Sequence, residues 1–464
     1  MGETLVMGAG LAGLTAAYEL GKHGAPVRVF ESAPVVGGAS RTVVWQDFRF
    51  DLGGHRLYTR DEDVLRLVNE LVGKDLLRVG RVSRIYFNGH FVDYPLSFFN
   101  ALGALGPFGS AAVTASYMRQ KVKGLVAPKP DKTFEDWIVA RFGRRLYNIY
   151  FKSYSEKVWG VPCSELGADF AAQRIKGLSF RAAIKSMFKR GSKGPKTLVS
   201  EFLYPRLGFG MIPENMAESV GSSRVHLSCP VTRVRHDGSR VLSLAAGCGQ
   251  SEKTWEGERV IATIPVNRLL NMMEPAPPAE VIEAAKGMKF RDLVVLFLAL
   301  NREKVTDDHW IYFPDADTFF GRMHEPKNWS KAMAPPDRTG VVVEVFCFRH
   351  EPVWSEPDES LMQRAATRLE ELGLFSASEL AGGTVIRLTE AYPLYDSGYE
   401  QRSAAVFGYL KRFSNLLPIG RNALFRYTSG DRYMEMGLKT AWNILGMGRH
   451  NVDAVATEQE YAEQ

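Results

Sequence analysis

The 464-residue chain has no run of about 18 apolar residues, which excludes a helix that crosses a bilayer. Cysteine is scarce. Cys163, Cys229, Cys248 and Cys347 are scattered without metal-ligand spacing, so no metal site is expected, and they read as buried thiols in a reducing compartment, not disulfides. An excess of one charge is also lacking. The balance of 58 Lys and Arg against 52 Asp and Glu gives only +6, which suits an anionic ligand and does not call for nucleic acid. There is no fixed-period repeat and no long low-complexity tract. The opening "ETLVMGAG" lacks a secretory pattern and reads as a strand entering a glycine turn, with the cytoplasm as the expected location.

What is present is ordinary for a soluble globular protein, with 45% hydrophobic and 24% charged residues. At about 150 residues per domain the length implies two or three domains. "TLVMGAGLAGLTAAYELGKHGAPVRVFES" reads as strand, glycine turn, helix, strand. Residues 98 to 188 turn mostly helical, with a Pro-containing connector at 123–133. Thr133 and Asp136 form a capping box, and Phe134, Trp137, Ile138, Phe142, Leu146 and Ile149 recur at helical spacing. Strand patterns return in "RVHLSCPVTRVRHDG", "RVIATIP", "DLVVLFLALN" and "TGVVVEVFCF", and "ESLMQRAATRLEELGLF" is an amphipathic helix. The expected class is α/β: a discontinuous Rossmann-like domain (1–80, 205–268 and 412–452), a helical insertion (96–204), and a mixed or antiparallel-sheet substrate domain (81–95 and 269–411).

Gly8, Gly10 and Gly13 form G-x-G-x-x-G between the first strand and helix. The first glycine permits the turn, the second lets a pyrophosphate approach the backbone, and the third lets helix and strand pack closely. The helix N-terminus offers N–H groups to phosphate. Glu31, eighteen residues after Gly13, ends the second strand and can accept from a ribose. A dinucleotide is implied. "VVGGASRT" then supplies Gly37, Gly38, Arg41 and Thr42. It resembles the second glycine pair of the FAD superfamily of amine oxidases, phytoene desaturases and protoporphyrinogen oxidases, which points to FAD. Arg41 is a candidate donor to a phosphate or flavin oxygen; the alternative is a solvated turn arginine.

"FDLGGHRLYTRDEDVLRLVNEL" carries Gly53, Gly54 and His55. It resembles the UDP-galactopyranose mutase family at its glycine-glycine-histidine segment. The similarity continues through "RIYFNGHFVDYPLSFFNAL" and through "FEDWIVARFGRRLYNIYFKSYSEKVWGVPCSEL". It extends to "EAYPLYDSGYE" and "GRNALFRYTSGDRYMEMGLKTAWNIL". The resemblance implies that His55 lies beside the flavin as a catalytic residue; otherwise it is a turn histidine. It implies that Arg174 and Arg291 hold a pyrophosphate, with a salt bridge as the alternative for each. It nominates Tyr154, Tyr392 and Tyr427 for substrate contact and Trp159 for stacking on a base, with packing as the alternative. Gly430 and Asp431 stand where mutases carry an acidic-methionine-acidic triplet, and are similar to the glycine-aspartate of FAD oxidases. Val231 and Met436 complete the expected cofactor-binding set.

The activity so implied is rearrangement, pyranose/furanose-type, of a nucleotide-diphosphate sugar, with N5 of the reduced flavin as nucleophile on the anomeric carbon and no net redox change. An external reductant such as NADPH would supply the reduced form. Two alternatives stand beside it: an FAD oxidase or desaturase that uses the flavin as hydride acceptor, and a non-catalytic flavin module. The basic stretch at 181–196 reads as a solvated face, with a lid or a membrane-surface patch as alternatives.

Overall fold

A computed structural model of the protein describes residues 2–87, 89–93, 106–126, 130–168, 201–249 and 251–455. With further elements between, the chain runs β1 (Thr4–Met7), α1 (Leu11–Lys22), β2 (Val27–Phe30), β3 (Ser83–Phe87) and β4 (His90–Asp93). The helices α2 (Gly106–Val126), α3 (Phe134–Phe142) and α4 (Ser153–Trp159) follow. Then come β5 (Val225–His226), β6 (Arg259–Ala262), β7 (Phe290–Leu300), β8 (Trp310–Tyr312), β9 (Arg322–His324) and β10 (Thr339–Cys347). The chain continues through β11 (Leu380–Pro393), β12 (Leu416–Pro418) and α5 (Gly430–Leu445).

All four residues of β1 are buried, as a central strand covered on both faces requires. It lies inside a five-stranded sheet of order β12-β6-β1-β2-β5. Every pairing is parallel, with Leu5 opposite Val260 on one side and Arg28 on the other. Parallel neighbours need crossovers. α1 supplies the one between β1 and β2, and the long excursions before β5, β6 and β12 supply the others. α1 packs on the closing helix α5. That approach depends on Gly437, where a Cβ would stand 2.7 Å from the Ala12 carbonyl.

A seven-stranded sheet of order β11-β7-β10-β9-β8-β3-β4 forms the second layer. It is antiparallel except where β8 meets β3. β7 is buried at all eleven positions, and from Leu293 to Leu300 it is continuously apolar. Its period of two divides it between cores. Leu293, Val295, Phe297 and Ala299 face the main core, where Phe297 stacks on Phe50 at 4.5 Å. Val294, Leu296, Leu298 and Leu300 face a second core with Leu361, Ala365 and Leu369 of the helix Asp358–Glu371. Each such side chain contributes about 1.5–3 kcal/mol when fully buried.

The expected capping box forms: Asp136 N donates to Thr133 Oγ1 (3.1 Å) and Thr133 N to Asp136 Oδ2 (3.3 Å). A turn of wider i to i+5 winding at Tyr147–Lys152 precedes α4 and sets the direction in which Tyr154 and Trp159 leave the bundle. One expectation is corrected. Cys229 and Cys248 are joined as a disulfide, because the antiparallel pairing of Val231 with Ala246 brings their Cα atoms to 4.4 Å. Cys163 and Cys347 are buried free thiols, each pushed up to about 12 by burial.

Candidate active site

The glycine motif is built as its spacing requires. Gly8 has φ +102°, in the region that favours glycine. A Cβ on Gly13 would collide with the Gly8 carbonyl, whereas one on Gly10 would meet nothing within 4 Å. Gly13 therefore serves packing, and Gly10 keeps the approach to the N-terminus of α1 open. The Glu31 carboxylate is drawn against this loop, accepting from Ala9 N (2.8 Å) and Ala33 N (2.9 Å). Gly37 N donates to Ala9 O (2.8 Å), so the second glycine pair lies directly on the first motif. Arg41 donates to Gly38 O (3.1 Å), and burial lowers the affinity of its guanidinium for a proton. A cradle open at Gly10, with an acid at the strand end and a cation above the second glycine pair, fits a dinucleotide. Val231 is buried just after Cys229, whose N–H donates to Glu31 O (2.8 Å).

Thr42 is spent within the protein. Its hydroxyl donates to Asp51 Oδ1 (2.6 Å) and accepts from Gly210 N (2.8 Å). Asp51 also receives Tyr204 OH (2.6 Å) and Phe209 N (3.1 Å), and burial pushes its carboxyl up to about 6 against those hydrogen bonds. Asp431 opens α5, is 3% exposed, and accepts from the Ser429 hydroxyl. Burial raises its carboxyl. Met436 is fully enclosed in the core, so only its backbone is available to a cofactor.

His55 stands where the two layers meet. Gly53 (φ +151°) carries its loop through a backbone conformation that favours glycine, while a Cβ on Gly53 or Gly54 would make only ordinary contacts, 3.6 Å from Glu344 Oε2 and from the Trp329 ring. The imidazole centroid is 5.4 Å from that of Phe209, and Nδ1 is enclosed without a hydrogen-bond partner. Burial, and then the Arg421 cation, push the ring down to about 3, so it is neutral at pH 7. Glu344 acts in the opposite sense, and His324 and Arg322 add to the depression.

Two arginines that the sequence did not single out dominate this region. Arg421 donates to Tyr433 OH (2.8 Å) and Ala391 O (2.9 Å) and lies 5.3 Å from the ring centroids of both Tyr392 and Tyr427. Arg322 is directly opposite Glu344 in the β9–β10 register and pairs with both its oxygens, Nε at 2.8 Å. Burial alone would raise Glu344, but Arg322 and His324 outweigh it and hold it at about 2. Arg322 is also within electrostatic reach of Tyr392 and Tyr154.

The expected aromatic residues converge here. Tyr392 and Tyr427 lie 5.5 Å apart, Trp159 sets its ring edge-on to both (6.4 and 5.9 Å), and Tyr154 meets Tyr312 at 5.6 Å. Trp159 is only 3% exposed and forms the wall of the core, so it does not present an open face to a base. Arg291 departs from expectation. It is 3% exposed, donates to the carbonyls of Val158 (3.0 Å), Lys157 (3.2 Å) and Phe346 (3.0 Å), and pairs with Glu351 at 2.6 Å. With its donors spent on β10, on Glu351 and on the end of α4, it ties α4 to the seven-stranded sheet and does not offer itself to a ligand. Arg174 and the basic stretch 181–196 lie outside the described residues.

The family model of flavin-containing amine oxidoreductases matches residues 11–401. The chain belongs to this family. It is therefore an FAD-dependent enzyme. Among curated relatives of this flavoenzyme, a probable UDP-galactopyranose mutase of Klebsiella pneumoniae is 28% identical over 171 residues, covering 35% of this chain and 42% of that protein. Protoporphyrinogen oxidase 2 of Arabidopsis thaliana is 21% identical over 448 residues, covering 86% of each. Among solved structures, reduced UDP-galactopyranose mutase superposes with a TM-score of 0.83 at 19% identity, covering 100% of this chain and 99% of that one. Putrescine oxidase bound to putrescine gives 0.64 at 18%, covering 96% and 99%. These likenesses establish the fold. No helix among the described residues is long and apolar enough to cross a membrane.

Proposed function

We propose that this flavoenzyme rearranges a nucleotide-diphosphate sugar with its flavin in the reduced state. The observation that carries the reading is the convergence of Arg322 and Arg421 with the hydroxyls of Tyr154, Tyr392 and Tyr427 beside His55. A leaving diphosphate needs positive charge and neutral hydroxyl donors in a site sheltered from water; Arg421 and Arg322, whose own donors go to Tyr433, two carbonyls and Glu344, would supply the charge and the tyrosines the hydroxyls. Arg322 takes the place first assigned to Arg291. The flavin would supply a nucleophile for the anomeric carbon. His55, neutral and with Nδ1 unsatisfied, would complete its hydrogen bonding against the cofactor. The likeness to reduced UDP-galactopyranose mutase along the whole chain supports the reading.

A second reading, with FAD as hydride acceptor, is favoured by one feature. Glu344 cancels the charge of Arg322, which suits a neutral or singly charged substrate better than a diphosphate. Anaerobic titration of the purified protein with UDP and UDP-sugars, oxidised and reduced, separates the two. A mutase perturbs its reduced-flavin spectrum on binding and releases isomerised sugar without oxygen uptake. Bleaching of the oxidised flavin by another substrate, with oxygen consumed on reoxidation and no response to any UDP compound, would replace the first reading with the second.

A further inference from the structure

The strongest unexplained surface is on α2, remote in kind from the chemistry at His55. The helix carries an exposed apolar stripe opposite the face by which it docks, whereas a surface helix ordinarily turns its apolar stripe inward. Its inner face is built on buried Val113 and on Ser116, Tyr117 and Gln120. That face is docked: Ser116 Oγ accepts from Arg145 N (3.2 Å), and a Cβ on Gly143 would come 3.0 Å from Tyr117 Cα. The opposite face carries Phe108, Met118, Val122, Leu125 and Val126, exposed by 90, 57, 58, 85 and 80%. At about 100° per residue these five fall within one stripe roughly 100° wide. Three of them are the most exposed large apolar side chains among the described residues.

The charges flanking the stripe are all of one sign. Lys121 borders one edge, and Arg119 and Lys123 border the other. The sequence contains no Asp or Glu between Asp93 and Asp131. A second copy of the chain is a poor occupant, because an isologous contact would set these three cations against their own counterparts with no acid on the helix to answer them. An anionic lipid surface answers both features at once. The stripe sinks to the level of the acyl chains, and the long basic side chains reach up to the headgroups. A spanning orientation is excluded, since the helix is not apolar enough to cross.

We propose that α2 lies in the plane of an anionic membrane and seats the enzyme there as a peripheral protein. The test is flotation of the full-length, flavin-loaded protein with vesicles of phosphatidylglycerol and phosphatidylcholine, against vesicles of phosphatidylcholine alone. Binding is expected to the anionic vesicles, weakened by salt. The double variant Leu125→Glu/Val126→Glu is expected to lower it at least about tenfold. Lys121→Ala and Lys123→Ala should each lower it about fivefold. An unchanged flavin spectrum in each variant reports an intact fold, since all of these side chains are exposed. Failure of the wild-type protein to float with anionic vesicles overturns the proposal, as does undiminished flotation of the double variant. A wild-type dimer that ignores vesicles and is split by the double variant would assign the stripe to a second copy and overturn it equally.

Discussion

Two groups of this region, half-buried His55 and buried Asp51, respond to pH in opposite directions. The His55 ring is held down to about 3, so the unfolded chain takes a proton below about 6.5 that the fold refuses. Its contribution therefore falls as pH drops, by about 1–2 kcal/mol between pH 7 and 5. Asp51 is raised to about 6, so the fold takes up a proton that the unfolded chain accepts only near 4. Its contribution rises over the same interval by about 1 kcal/mol. Relative to wild type, His55→Asn should gain stability on going from pH 7 to pH 5 and Asp51→Asn should lose it. Urea midpoints at the two pH values measure this, and parallel shifts would refute the assignment. Arg291→Ala should destabilise the protein by about 3–5 kcal/mol, because it strands Glu351 and three carbonyls. Affinity for UDP compounds, measured on the folded fraction, should stay within about twofold. His55, Glu31 and the tyrosines were legible because each sits inside a local motif. Arg322 was not, because its partners Glu344, Tyr154 and Tyr392 are distant in sequence and meet it only across paired strands.

The glycine turn before α1 separates folding from cofactor binding within six residues. Gly10→Ala adds a methyl group to open space at a backbone conformation any residue adopts. It should fold with wild-type stability, gaining up to about 0.5–1 kcal/mol from the stiffened unfolded chain, yet bind FAD at least about tenfold more weakly. Gly13→Ala drives its methyl into the Gly8 carbonyl and should destabilise the apoprotein by more than about 2 kcal/mol. Flavin content after purification and thermal melts of the stripped protein distinguish the two; equal behaviour would contradict the division of roles. Elements of this kind read directly from sequence, since turn glycines, the Thr133 cap and the apolar run of β7 are all local signals. The disulfide was illegible for the converse reason. Cys229 and Cys248 become neighbours through an antiparallel register that spacing does not reveal.

At the scale of the molecule, the two sheets share one core, and the chemistry lies along their seam. The cradle belongs to the parallel sheet, Arg322 and Glu344 to the mixed sheet, and His55 to the loop between. A ligand held across that seam should stiffen both layers together. Saturating FAD at about 100 times its dissociation constant is expected to add roughly 2.7 kcal/mol to the unfolding free energy in a single cooperative transition. Two separated melts in calorimetry, only one of them responding to FAD, would count against a shared core.

The order β12-β6-β1-β2-β5 also carries a schedule. At roughly 5–20 residues per second, the ribosome releases β1 some 20–80 seconds before β12. Throughout that interval the nascent nucleotide fold has an unfinished edge, and α5, the helix on which α1 packs, has not yet been made. Flavin acquisition is thus an event of the finished polypeptide, and growth in riboflavin-poor medium should leave a pool of completed, colourless chains awaiting cofactor, not a ladder of stalled fragments.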